Sequence, residues 1–226
     1  MNRGCMPREA FQKQLSHLQD LVLEMGSMVD RAVDRSMTAL LDRDAELAKS
    51  VVENDKIVNA KNFECQNEVI ALITQQAPMA RDLRLVVSVA AIMTDLERMG
   101  DHAEGIARIV ITMQDEPLVK PLIDIPIMAG HAREMLRDSI QAFVDQDVDA
   151  AYAVGGRDDE VDSLYDRIYH DLIQIMIGDP STIEPSTHLL WVAHNLERIA
   201  DRATNIAERT VYSATGNLPQ MDVSSY

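Results

Sequence analysis

Glu97 and Asp101 are four residues apart, and Glu197 and Asp201 repeat that spacing one hundred residues later. Asp55 and Asn59 share the same interval, repeated as Asp158 and Asp162. On a helix, residues four apart lie on one face. Like charges so placed cost roughly 0.2–0.5 kcal/mol per pair. A solvated face is free to drift, so the retention of the spacing in both places points to a use for it. Ion pairing is one use: Arg98 lies three residues from both Asp95 and Asp101, and Arg198 three from Asp201, which allows a surface network. Metal binding is the other. Carboxylate and amide oxygens from neighbouring helices suit hard or borderline cations. The spacing alone leaves both open.

Other chemistry finds little support. The chain has no HExxH motif, no Glu-x-x-His pair, no phosphate-binding GxxxxGK[ST] loop, no GxGxxG and no GxSxG elbow. A zinc protease, a ferritin-like di-iron bundle, a P-loop enzyme and a serine hydrolase are thereby disfavoured. His102 and His194 neighbour the acidic spacings, but a lone helical His is expected to be a surface or packing residue. Cys5 and Cys65 have no CxxC spacing, and Cys65 is expected to behave as a small hydrophobe. Arg81, Asp82 and Arg84 open a predicted helix, either as an exposed first turn or as a contact for an anionic group or partner.

The elements that carry these residues are helices. The 226 residues are 46% hydrophobic but only 4% aromatic, with 13 Met, a composition that favours helix. The net charge of −16 argues against nucleic-acid binding. No stretch approaches the ~18 apolar residues of a membrane span, and the first residues lack the apolar core of a secretory signal. Cytoplasmic residence without membrane insertion is the expectation. The eight prolines bound long intervals in which helices can run. Polar runs at 42–46 and 145–149 divide two of these, with Asp44 as an N-cap. The expectation is six helices, at about 8–41, 44–75, 80–113, 124–144, 147–177 and 186–215, and no strand.

The chain also repeats itself. Residues 39–44 match 142–147, and 55–59 map onto 158–162, at an offset of 103. Leu96-Glu97-Arg98-Met99-Gly100-Asp101 maps onto Leu196-Glu197-Arg198-Ile199-Ala200-Asp201 at an offset of 100. The change falls where a connection can absorb it. These matches predict an all-α fold of two tandem three-helix bundles, over 8–116 and 117–216, with loose tails at 1–7 and 217–226. The third helix of each carries a heptad-like seam, Leu85, Val89, Ile92, Leu96, Met99, Ala103, Ile106, Val110 and Met113 in one, Leu189, Val192, Leu196, Ile199, Ala203 and Ile206 in the other. Such seams are core. Glu97 and Asp101 lie roughly 130–170° around the helix from the seam, so the acidic ridge is expected to face away from the unit's own core.

Together these motifs resemble the PhoU family. The resemblance rests on 25–29 (Met-Gly-Ser-Met-Val), 54–59 (Asn-Asp-Lys-Ile-Val-Asn), 81–86 (Arg-Asp-Leu-Arg-Leu-Val) and the two Leu-Glu-Arg-x-x-Asp segments, in the family's order over about 11–211. It implies a cytoplasmic negative regulator of the phosphate-starvation response with no enzymatic activity. It further implies an adaptor that modulates phosphate uptake, couples the ATP-hydrolysing subunit of the phosphate transporter to a membrane sensor histidine kinase, and forms a homodimer. Some family members bind iron or zinc clusters through paired acidic motifs; manganese, magnesium and nickel are also open. Carried over, one metal site comprises Asp55, Asn59, Glu97 and Asp101, and the other Asp158, Asp162, Glu197 and Asp201, with Arg98 and Arg198 as supporting ion pairs. Asn59 leaves the first site one charge poorer, so weaker or differently populated metal is expected there. The alternative function is a metal protein whose carboxylate faces store or use iron or zinc.

Overall fold

The computed structural model describes residues 6–221. Seven α-helices occupy them: α1 (Met6–Asp42), α2 (Ala45–Gln76), α3 (Arg81–Thr112), α4 (Asp124–Asp145), α5 (Val148–Gly155), α6 (Asp158–Gly178) and α7 (Ile183–Thr215), with a 3-10 turn at Pro180–Thr182. No strand occurs among the described residues.

The sharp breaks repeat with the sequence. Arg43 (φ 57°) and Gln146 (φ 53°) stop α1 and α4 in the left-handed conformation. Asp44 and Asp147 then cap the next helices, accepting from the backbone N–H of Leu47 at 2.9 Å and of Ala150 at 3.0 Å. The cap satisfies one of the unpaired donors that open a helix. Pro126 and Pro185 lie within the first turns of α4 and α7, where no intrahelical donor is missed.

The helix expected at 147–177 is broken into α5 and α6, whereas α2 runs unbroken through the matching residues. Gly155 and Gly156 lower helix propensity by about 1 kcal/mol each against Ala. Long-range contacts then fix the break. Met221 packs over Gly155, its Sδ 2.9 Å from where a Cβ would stand. Arg157, beside the break, reaches Glu134 and Asp138 on α4. The Met221 contact also corrects the expected loose tail, because the Met221 N–H donates to Glu208 Oε1 at 2.7 Å. At the other end, residues 6 and 7 already belong to α1; residues 1–5 and 222–226 of the expected tails lie outside the described residues.

α1, α2 and α3 pack on one another, as do α4, α5, α6 and α7, and the most extensive helix pairing is between α3 and α7. Every seam residue named above is buried, Leu96, Met99, Leu196 and Ile199 completely. α3 and α7 cross antiparallel, since Asp95 meets Arg202 while His102 meets Asn195. These two contacts are the same contact with partners exchanged, as 95 matches 195 and 102 matches 202. α1 and α4 behave likewise: Asp30 and Asp34 on one face Arg133 and Arg137 on the other. Exchanged pairs of this kind mark an approximate two-fold relation between the sequence copies.

Burial pushes the Asp30 carboxyl up, but the hydrogen bonds and charges of Arg133 and Arg137 outweigh it and hold it below its usual range.

Candidate functional site

α3 is packed by α1, α2 and α7, and although Thr94 and Arg98 are exposed, Glu97 and Asp101 are partly buried. The acidic ridge therefore lines the crevice between the second and third helices of each copy instead of turning outward. That corrects the expectation from the helical wheel, which places residues around one axis but not the neighbours on its flanks. Gly100 makes the close approach possible. A Cβ there would stand 3.1 Å from Val58 Cγ1 and 3.2 Å from Asp55 Oδ1.

In the first copy this approach brings Asp55 into the field of Glu97 and Asp101. Asn59 Nδ2 donates to Asp55 Oδ2 at 2.7 Å, while Asp55 Oδ1 is buried without a hydrogen-bond partner. Burial first, then the charges of Asp101, Glu104 and Glu97, push the Asp55 carboxyl up to about 6, against the opposing hydrogen bond from Asn59. Glu104 is a residue that the sequence analysis missed. It lies three residues beyond Asp101, on the same face, and its own partner is Arg108 at 2.6 Å. Arg98 Nη1 donates to Asp101 Oδ2 at 2.9 Å and Arg98 Nε lies 3.4 Å from Glu97 Oε2. Asp95 is not part of that network, for it crosses to Arg202.

The second copy is more deeply buried. Asp158 is 7% exposed and Glu197 5%. Thr204, in the place of Glu104, donates its hydroxyl to Asp158 Oδ1 at 3.5 Å. Arg198 Nη1 donates to Asp201 Oδ2 at 2.7 Å, and Asp162 is half-buried one turn along α6. His194 Nδ1 lies 3.3 Å from Glu197 Oε2, its ring 6.5 Å from Tyr165 and 5.6 Å from Trp191. Burial and the Arg198 charge hold the His194 imidazole below its usual range. Burial and then the Glu197 charge raise the Tyr165 phenol.

Among the other sequence candidates, His102 and Cys65 have packing roles. His102 serves the α3–α7 contact, 2.9 Å from Asn195 Oδ1. Cys65 is fully buried, its thiol pushed up to about 12 by burial and by Glu68 and Glu64. Arg81 and Asp82 are exposed in the first turn of α3, whereas Arg84 lies against Gly216 at the end of α7.

As donors, these carboxylates and the Asn59 amide have the chemistry that hard cations take. As placed, no three His, Cys, Asp or Glu side chains among the described residues form a metal-binding group. Arg98 and Arg198 hold the carboxylates that a cation would need.

The PhoU domain model matches 22–110 and again 125–210. The chain belongs to the PhoU family. A Clostridium acetobutylicum protein named as a phosphate-specific transport system accessory protein PhoU homolog is 39% identical over 97% of this chain and 100% of its own. The crystal structure of PhoU from Pseudomonas aeruginosa superposes with a TM-score of 0.88 at 31% identity, over 92% of this chain and 100% of that one. That of the phosphate transport system regulatory protein PhoU from Streptococcus pneumoniae gives 0.87 at 29% identity, over 93% and 99%. The two domain matches thus cover both sets of acidic residues. No helix among the described residues is long and apolar enough to cross a membrane.

Asp55 carries a pH-dependent prediction. A carboxyl whose folded pKa lies above its unfolded value contributes most stability at low pH and loses it as pH rises through the folded value. The shift from 3.8 to about 6, discounted for partial exposure, corresponds to about 1 kcal/mol. Asp55→Asn is therefore expected to be the more stable protein by about that much at pH 7 in chelator, with the gap opening between about pH 4 and 6 in denaturant titrations. A less stable variant at pH 7 contradicts this.

Proposed function

We propose that this chain is the accessory protein of a phosphate-specific transport system and a cytoplasmic negative regulator of the phosphate-starvation response. It couples the transporter's ATP-hydrolysing subunit to a membrane sensor histidine kinase and modulates phosphate uptake by binding, without catalysis. The observation that supports this best is the full-length likeness to a relative named as such an accessory protein. The acidic surface supports it physically, because a net charge of −16 steers encounter with basic patches on a partner and sharpens specificity. Signalling by binding requires that a partner or ligand bind two states of the protein unequally. A reporter of a phosphate-starvation promoter tests the reading. In a strain lacking the gene, the reporter is expected to stay on in high phosphate, and the restored chain to silence it. Failure to silence it argues against the regulator. Homodimerisation belongs to the same reading and is checked by sedimentation.

A second reading is favoured by the buried, hydrogen-bond-free Asp55 Oδ1 beside Glu97 and Asp101. In it, Asp55, Asn59, Glu97 and Asp101 hold a divalent cation, iron or zinc foremost, and Asp158, Asp162, Glu197 and Asp201 hold another. The cation supplies charge neutralisation across the crevice. Arg98 and Arg198 must release their carboxylates to admit it. Elemental analysis of protein purified without chelator is expected to find metal that Glu197→Ala with Asp201→Ala removes from the second site. Metal-free protein, or metal unaffected by those changes, sinks this reading.

A further inference from the structure

The duplication supplies an internal control for the charges on the later half of α1, which matches α4. At the offset of 103, Asp30 and Asp34 match Arg133 and Arg137, and the four meet across the α1–α4 contact. That face is charge-complete. One residue further round, Arg31 and Arg35 match Glu134 and Asp138 at the same offset of 103. In the second copy Arg157 answers both acids, Nη2 2.6 Å from Glu134 Oε2 and Nη1 2.9 Å from Asp138 Oδ2. The residue matching Arg157 in the first copy is Asn54. There the pair is inverted in sign and its counter-charge is replaced by a neutral amide.

Arg31 and Arg35 consequently face no carboxylate within salt-bridge distance among the described residues. Arg31 Nη1 donates to Ser27 Oγ at 2.6 Å and Arg35 Nη2 to Ser50 Oγ at 2.8 Å. Each guanidinium has five N–H donors, so most remain for another acceptor. Both line a cavity of about 200 Å³ between α1 and α2, with Asn54 and Asp55 on its polar side and Met28 and Val51 among its apolar walls. Asp55 is the one acid in the lining. Its Oδ1 is turned to Gly100 and its Oδ2 is held by Asn59.

We propose that this groove binds a phosphoryl oxyanion, inorganic phosphate or a phosphate monoester, clamped between Arg31 and Arg35. Two guanidinium forks one turn apart suit a dianion with three free oxygens, which can receive paired N–H donors from both, whereas a single carboxylate fills one fork. The apolar walls accommodate the organic part of an ester. Neither arginine is among the ligands of the metal reading, although Asp55 lines the groove as well.

Isothermal titration of the full chain at low ionic strength, with inorganic phosphate in one arm and AMP in the other, tests it. At least one arm is expected to saturate with Kd of roughly 0.01–1 mM, and to weaken as salt is raised. Saturation by AMP alone identifies an ester site, and saturation by phosphate identifies a site for the free anion. Arg31→Gln with Arg35→Gln should weaken binding about tenfold or more. Asn54→Glu should do the same by restoring the absent counter-charge in place. Arg31 and Asn54 are exposed, so circular dichroism of both variants should match the parent. No saturation by either ligand, or undiminished binding in either folded variant, overturns the proposal.

Discussion

Leu96→Ala and Leu196→Ala are each expected to destabilise the protein by about 2–5 kcal/mol, the range for emptying a buried leucine site. Both side chains are fully buried at matching positions of the α3 and α7 seams. The loss combines the transfer energy of the deleted methyl groups with the cavity left in a core that relaxes only in part. For a chain of this size, thermal midpoints should fall by roughly 2–4 °C for each kcal/mol, read by circular dichroism. Duplication adds a sharper expectation: the two costs should agree to within about 1 kcal/mol. A loss below about 1 kcal/mol at either position shows that its seam is not packed as described.

Asp95→Ala is expected to cost about 2–3 kcal/mol, because it strands a charge in the contact between the two copies. The Asp95 side chain is 13% exposed, and its Oδ1 accepts from Arg202 Nη1 at 3.2 Å and Asn205 Nδ2 at 3.4 Å. Burial pushes its carboxyl up, and the opposing pull of Arg202, Asn205 and Arg209 does not fully cancel that. The pair itself therefore adds little. Its disruption is costly because Arg202, whose Nε already lacks a partner, would lose its anion. Asp95→Leu with Arg202→Met should accordingly restore stability to within about 1 kcal/mol of the parent. If the double variant is as unstable as Asp95→Ala, the stranded-charge explanation fails.

Much of this architecture was legible before any coordinates. Proline-free intervals and the aspartates at 44 and 147 mark the helices because local chemistry decides those boundaries. The seams were legible because the helical period carries burial. What escaped depends on distant residues. Gly155 and Gly156 fall inside the single helix expected at 147–177, and only Met221 and the α4 acids reveal why the chain turns there. Asp95 is three residues from Arg98, yet it pairs with Arg202 on another helix. The acidic residues stand out by their spacing, but the helical wheel turns them outward, since the crevice exists only where the second helix crosses at Gly100. The offset of 103 sets Asp30 and Asp34 against Arg133 and Arg137, an opposite-charge match that foretells their meeting.

The adaptor reading is tested most directly by co-purification of the tagged full chain from cells grown in high and in low phosphate. The predicted result is retention of the transporter's ATP-hydrolysing subunit and of the sensor kinase, in amounts that change with phosphate. Recovery of neither at either phosphate level would contradict it.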